Sequence, residues 1–196
     1  MFNKSTTLKI AQVTYSGFGG LGSVVFSLID ADFEHTYSWA IGFIGDQDLE
    51  ISYGERCNEI DVKYAVFKSS PGRPYRSWWA LKCWLDDTKP DVIICHSINS
   101  VLACRWHAFW HSIPLIVVEH TSNLLKSRSA WMASRVSMLV ADRLVVLTHE
   151  YMDELKRTHG VIFCSQKVRI IPNGINIKEF YPNRKPPLTD KKLIRL

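Results

Sequence analysis

The sequence predicts a doubly wound α/β domain built on a seven-strand, mostly parallel sheet, and three observations carry that prediction. Short β-rich runs alternate with longer amphipathic stretches, the βαβα texture of a parallel sheet covered by helices. Several of the runs are near-continuous Val/Ile/Leu, as strands buried on both faces must be. A chain of 196 residues, 46% hydrophobic and 22% charged, buries roughly 70% of the surface it exposes when unfolded, so it needs neither disulfides nor a structural metal.

The elements follow in order. Leu8 to Tyr15 is an apolar strand that runs into Gly17-Phe18-Gly19-Gly20-Leu21-Gly22, and Gly22 to Ile29 has helical spacing. Tyr37 to Ile44 and Val62 to Phe67 are the next strands, followed by a helix over Tyr75 to Leu85. Pro90 and Pro114 mark the entrances of strands Asp91 to Cys95 and Pro114 to Glu119, with a helix over Asn99 to His111 between them. Ala130 to Val140 and Glu150 to Thr158 are helical, and Arg143 to Leu147 and Val168 to Ile171 complete the strands. Beyond Ile171 the texture changes to Pro172-Asn173-Gly174, then Pro182, Pro186 and Pro187 among charges, so the domain is expected to span 1–172, with a linker and the start of another unit over 173–196.

Composition excludes several classes. Apolar runs such as Val92 to Cys95 are only four residues long, against the roughly 20 a spanning helix needs. The start lacks an apolar signal region, which makes the cytoplasm the default address. The five cysteines (Cys57, Cys83, Cys95, Cys104, Cys164) show no C-x-x-C spacing and read as reduced core thiols. The net charge of +5 divides into −6 over residues 1–61, +7 over 62–177 and +4 over the last nineteen, without a block of like charges, so no nucleic-acid partner is expected.

In this architecture ligands gather at the carboxyl ends of the strands. The glycine turn after the first strand lets backbone approach a ligand, and the helix it opens offers N–H groups and a partial positive charge to phosphate. Read literally, Gly17, Gly19 and Gly22 spell a dinucleotide fingerprint, but the acidic residue this requires about 20 positions on arrives only at Asp46, 29 residues after Gly17. His120 continues Val117-Val118-Glu119 into a polar cluster with Thr121, Ser122 and Asn123, and His96 and Asn99 occupy the matching loop one strand earlier. An imidazole there can hydrogen-bond a sugar hydroxyl or a phosphate. Glu150, in the first turn of a helix, reads as ordinary dipole chemistry.

Other patterns read as structural. Asp46-Gln47-Asp48 imitates a metal-holding D-x-D but is better taken as a solvated acidic loop. Cys104, His107 and His111 share a helix face without an evident fourth zinc ligand, and Trp106, Phe109 and Trp110 mark that helix as a packing element. Tyr75, Trp78, Trp79 and Trp84 with Arg76 and Lys82, and Trp131 and Met132 near Lys126, Arg128 and Arg135, fit packing on the sheet better than contact with an anionic bilayer.

Four motifs stand in order over residues 8–182. Val168-Arg169-Ile170-Ile171-Pro172-Asn173-Gly174-Ile175-Asn176 with Phe180 and Pro182 is similar to I-P-N-G-[VI]-[ND]-x-x-x-F-x-P. Ala141 to Thr148 is similar to A-D-x-[VI]-x-x-x-S/T, Lys89 to His96 to K-P-D-[VI]-[VI]-H-x-H, and Gly19-Gly20 to a G-G-x-E or G-G-x-Q loop. Together they resemble the group-1, family 4-like glycosyltransferases of GT-B fold.

The resemblance implies two Rossmann-like domains facing a cleft, of which this chain is the N-terminal, acceptor-side one. The Arg/Lys pair and the E-x₇-E segment that hold the donor nucleotide in the family belong to a second half, without which sugar transfer is not expected. Gly19 and Gly20 would lie against the donor pyrophosphate, His120 near the transferred sugar, and His96, Asn99 and Thr121 on the acceptor side. Gly22 stands at the acceptor-binding position where the family has Glu or Gln, and Asn173-Gly174 at the interdomain hinge. The implied chemistry is retaining transfer from a nucleotide-sugar to a glycan or lipid-linked acceptor, as in polysaccharide or lipopolysaccharide synthesis, with no metal or cofactor. It brings with it peripheral contact with an anionic membrane at its inner face. The alternatives are a stand-alone glycan- or phosphate-binding module, a half-enzyme completed by a partner chain, a sugar-nucleotide epimerase of the same fold, and an NAD(P)-binding domain.

Overall fold

The computed structural model describes residues 7–70, 73–120 and 128–174. Within them the seven expected strands form one sheet: β1 (Leu8–Tyr15), β2 (Tyr37–Gly45), β3 (Lys63–Lys68), β4 (Val92–Cys95), β5 (Leu115–Glu119), β6 (Arg143–Val146) and β7 (Val168–Ile170). Their order is β3-β2-β1-β4-β5-β6-β7 and every pairing is parallel. The chain thus starts in the middle, winds outward to β3, returns to the other side of β1 and winds outward again. Between β1 and β4 the direction of winding reverses, which opens a crevice at the carboxyl ends of those two strands.

Among the described residues six α-helices connect the strands: α1 (Gly20–Asp30), α2 (Ile51–Glu59), α3 (Trp78–Thr88), α4 (Val101–His111), α5 (Arg128–Val140) and α6 (His149–His159). Five lie where the spacing predicts them; α2 does not appear in the sequence reading. Its nine residues are mostly polar, include Gly54 and bury only Tyr53 and Cys57, so its apolar stripe is too thin to register as a helical period.

The alternation of β2 separates two cores. Ile41 and Phe43 face one side and pack with Val25 and Phe26 of α1 and Tyr53 and Cys57 of α2. Ile44 faces the other and joins Leu81 and Leu85 of α3, Val101, Ala103, Cys104 and Ala108 of α4, Met138, and Tyr151 and Leu155 of α6. Each such fully buried aliphatic or aromatic side chain contributes about 1.5–3 kcal/mol by leaving water.

The structure corrects two packing expectations. Trp106, Phe109 and Trp110 do not pack on the sheet; they are 59%, 63% and 67% exposed. The spacing of Val101, Cys104 and Ala108, reinforced by Ala103 and His107, turns that face of α4 inward, so residues between them point out. Likewise Trp84 packs edge-on to Phe67, while Trp79 is 71% exposed. Cys57, Cys95 and Cys104 are buried thiols as expected, but Cys83 and Cys164 are exposed rather than core residues.

Candidate active site at the strand switch point

The glycine turn after β1 is braced by a residue of α2. Tyr53 Oη accepts a hydrogen bond from the Gly19 N–H at 3.2 Å and donates to the Gly19 carbonyl at 2.6 Å. Gly22 is buried directly above the same ring, and a Cβ built on it would lie 2.2 Å from Tyr53 Cζ. Space is open around Gly19 and Gly20, where an added Cβ would meet nothing within 4 Å. Gly19 caps α1 without a side chain, and the first turn carries no acidic residue. The N–H groups of that turn have no intrahelical acceptor and sit at the positive end of the helix dipole.

His96 and His120 follow β4 and β5 and meet at the same carboxyl-terminal edge of the sheet as this turn. His96 Nδ1 and His120 Nε2 are 3.1 Å apart, and His96 Nε2 lies 3.0 Å from Gln12 Oε1. Gln12, fully buried on β1, donates through Nε2 to the Val25 carbonyl of α1 at 3.2 Å. These contacts fix the protons. The Gln12 amide nitrogen must face the Val25 carbonyl, so its oxygen accepts from His96 Nε2–H. Neutral His96 then accepts at Nδ1 from His120 Nε2–H, which leaves His120 Nδ1 as an acceptor.

Electrostatics agree with neutral rings. Burial, with a smaller contribution from the neighbouring His120, pushes the His96 pKa down to about 3. Burial also lowers that of His120, opposed by the charge of Glu119. Glu119 itself is buried at the end of β5, where Ser134 Oγ of α5 donates to Oε1 at 2.5 Å and the Tyr151 hydroxyl of α6 donates to Oε2. Burial and that carboxylate hold the Tyr151 phenol well above its ordinary pKa. The strand end carrying His120 is thereby tied to two helices.

The structure therefore gathers Gly19, Gly20, His96 and His120 around the crevice. Asn99 is exposed in a short 3-10 turn, Ile98–Ser100, whose Asn99 carbonyl accepts from Trp78 Nε1 at 3.2 Å. Asn173 and Gly174 are exposed beyond β7. Thr121 and the chain from 175 onward lie outside the described residues. Gln12, Glu119, Ser134 and Tyr151 are the supporting residues that sequence reasoning passed over. The Asp46 carboxylate accepts from the Tyr15 hydroxyl at 2.8 Å and Asp48 pairs with Lys68 at 2.5 Å, both on exposed loop positions.

A family model described as Glycosyltransferase Family 4 matches residues 19–179, well over half of the chain. The chain belongs to glycosyltransferase family 4. Solved structures share the fold of this family 4 chain at low identity. The lipopolysaccharide outer core galactosyltransferase WaaB is 20% identical with a TM-score of 0.67, the alignment covering 92% of this chain and 50% of that one. A glycosyltransferase from Rickettsia africae is 13% identical with a TM-score of 0.68, covering 92% and 47%. HepE from Anabaena, solved in complex with UDP-glucose, is 13% identical with a TM-score of 0.68, covering 87% and 45%. The family 4 chain thus spans about half the length of these relatives. The family match displaces the NAD(P)-binding alternative.

Proposed function

We propose that this chain is the acceptor-side domain of a retaining glycosyltransferase that moves a hexose from a nucleotide-sugar to a glycan or lipid-linked acceptor, and that it needs a donor-binding half to do so. The observation that carries the reading is that the His96–His120 pair, at the carboxyl ends of β4 and β5, is linked through Gln12 to Val25 of α1, the helix that opens at the glycine turn after β1. Negative charge develops on the donor phosphate as its bond to the sugar breaks, and N–H groups at Gly19–Gly20 suit that charge. His120, held by Gln12 and His96 with Nδ1 as acceptor, suits a hydroxyl of the transferred sugar, whose ring becomes positive in the transition state. His96, Asn99 and Thr121 would line the acceptor side, and Asn173-Gly174 would absorb domain closure. No step requires a metal or cofactor. HepE was solved with UDP-glucose, and WaaB acts on the lipopolysaccharide outer core by name; a related donor and acceptor are the first to try.

Peripheral contact with an anionic bilayer belongs to the same reading. Trp79, Trp106, Phe109 and Trp110 are exposed on α3 and α4, and Arg76 is exposed just before α3, a mixture that suits the headgroup layer. Among the described residues no helix is long and apolar enough to cross a membrane.

The test is sugar transfer from a panel of UDP-hexoses by the chain joined to a C-terminal donor-binding half, compared with residues 1–196 alone. His120→Ala in the joined protein is expected to lower kcat/KM by roughly 10²-fold, the usual loss of a charge-stabilising group. Unchanged turnover removes His120 from the site, and full activity of 1–196 alone removes the need for a second half.

A further inference from the structure

The helical spacing of Cys104, His107 and His111 suggests a shared face, but Cys104 turns into the core and a different third residue meets the imidazoles. Asp86 of α3 brings Oδ1 to 3.0 Å from His107 Nδ1 and 3.3 Å from His111 Nε2. One donor atom from each of the three residues lies within 4.8 Å of the other two. His107 and His111 are one helical turn apart and stack with centroids 4.2 Å apart. Tetrahedral coordination at about 2.0 Å per bond separates ligand atoms by roughly 3.3 Å, so the oxygen-to-nitrogen spacings already match a metal shell.

We propose that Asp86, His107 and His111 bind a divalent transition-metal ion, such as Zn²⁺, that ties the C-terminal end of α3 to that of α4. Two imidazoles and a carboxylate are a borderline N₂O set suited to zinc rather than to calcium or magnesium. His107 is buried, the Asp86 side chain is 33% exposed and that of His111 51%, so the ion has a route in and a fourth position open to water. Binding requires only that each imidazole carry its proton on the nitrogen away from Asp86. Lys82 Nζ, 2.5 Å from Asp86 Oδ2, takes the second carboxylate oxygen and opposes the ion by charge. These helix ends lie at the amino-terminal edge of the sheet, opposite the crevice that holds His96 and His120, which makes the ion a brace rather than a catalytic centre.

Isothermal titration of the untagged full chain with Zn²⁺, in a Cys83→Ser/Cys164→Ser background that removes the exposed thiols, tests the site. The expected result is one ion per chain, an upward shift of the thermal midpoint, and a Co²⁺ derivative with visible ligand-field absorption. His111→Ala, a change on the helix surface, is expected to weaken binding by at least about 10-fold, the least that disturbing a metal's surroundings usually costs. Lys82→Ala is expected to tighten it by removing a like charge. Absence of binding overturns the proposal, as does binding that His111→Ala and Lys82→Ala leave unchanged.

Discussion

Tyr53 grips Gly19 from both sides, one phenolic oxygen accepting from the N–H at 3.2 Å and donating to the carbonyl at 2.6 Å. A helix that follows β2 thus sets the shape of the turn that follows β1. Tyr53→Phe keeps the buried ring and removes both bonds. It is expected to cost about 1–2 kcal/mol in urea denaturation and to speed amide exchange at Gly19, while a stability equal to the parent's would mean that the turn holds itself.

Gly22→Ala tests the same brace from the side of α1. The new methyl would lie 2.2 Å from the Tyr53 ring, and overpacking of this kind costs about 1–3 kcal/mol. A double-mutant cycle with Tyr53→Leu should be strongly non-additive, because the clash disappears with the ring. Additive losses would place the strain elsewhere.

Gln12→Leu should uncouple the histidines. It leaves the buried His96 Nε2–H without its acceptor, at a cost of about 1–3 kcal/mol, while the Val25 carbonyl loses only the bond it makes beyond the helix. The His120 imidazole, no longer held through His96 in one tautomer, is expected to show an altered ¹⁵N tautomer signature by NMR. An unchanged signature would mean that Gln12 fills space only.

Acid should weaken the fold as soon as unfolded histidines begin to protonate. His96 stays neutral in the native state down to about pH 3, whereas an unfolded histidine protonates near 6.5. The unfolded chain therefore binds the extra proton, so stability present above about pH 6.5 is lost as pH falls and levels off near 3. The His96 share amounts to about 2 kcal/mol between pH 7 and pH 5, and burial of His120 and His107 adds in the same direction. Urea midpoints followed from pH 7 to pH 5 check this, and a His96→Asn chain should show a shallower slope.

The exposed tryptophans of α4 give the membrane reading its own measurement. Replacing Trp106 and Trp110 by Ser is expected to weaken binding to anionic vesicles about tenfold, equivalent to about 1.4 kcal/mol. Binding indifferent to salt and to anionic lipid would set the bilayer contact aside.

The strands were legible because a sheet buried on both faces demands runs that few helices resemble, and His96 and His120 were legible because they follow such runs directly. Gln12 was not, since its place in Leu8–Tyr15 does not reveal the partner 84 positions away that satisfies it. Glu119 was equally opaque, with Ser134 and Tyr151 lying 15 and 32 residues downstream. A polar side chain in the middle of a buried strand is nonetheless a signal, because burial without a partner is costly. The outward tryptophans of α4 differ from the packing expectation because the phase of the helix, not its aromatic content, decides which side chains face the sheet. Small residues, Ala103, Cys104 and Ala108, line the inner face instead.

The order β3-β2-β1-β4 also sets a timetable for synthesis. The ribosome completes β1, β2 and β3 by Lys68, but β1 cannot pair on its other side until β4 begins at Val92. At about 5–20 residues per second, the nascent sheet therefore spends on the order of seconds with β1, a future interior strand, as an open, apolar edge. A chain stalled within that interval would be the form most in need of a chaperone, and the arrival of Val92–Cys95 would both relieve the exposure and deliver His96 to its partner on β1.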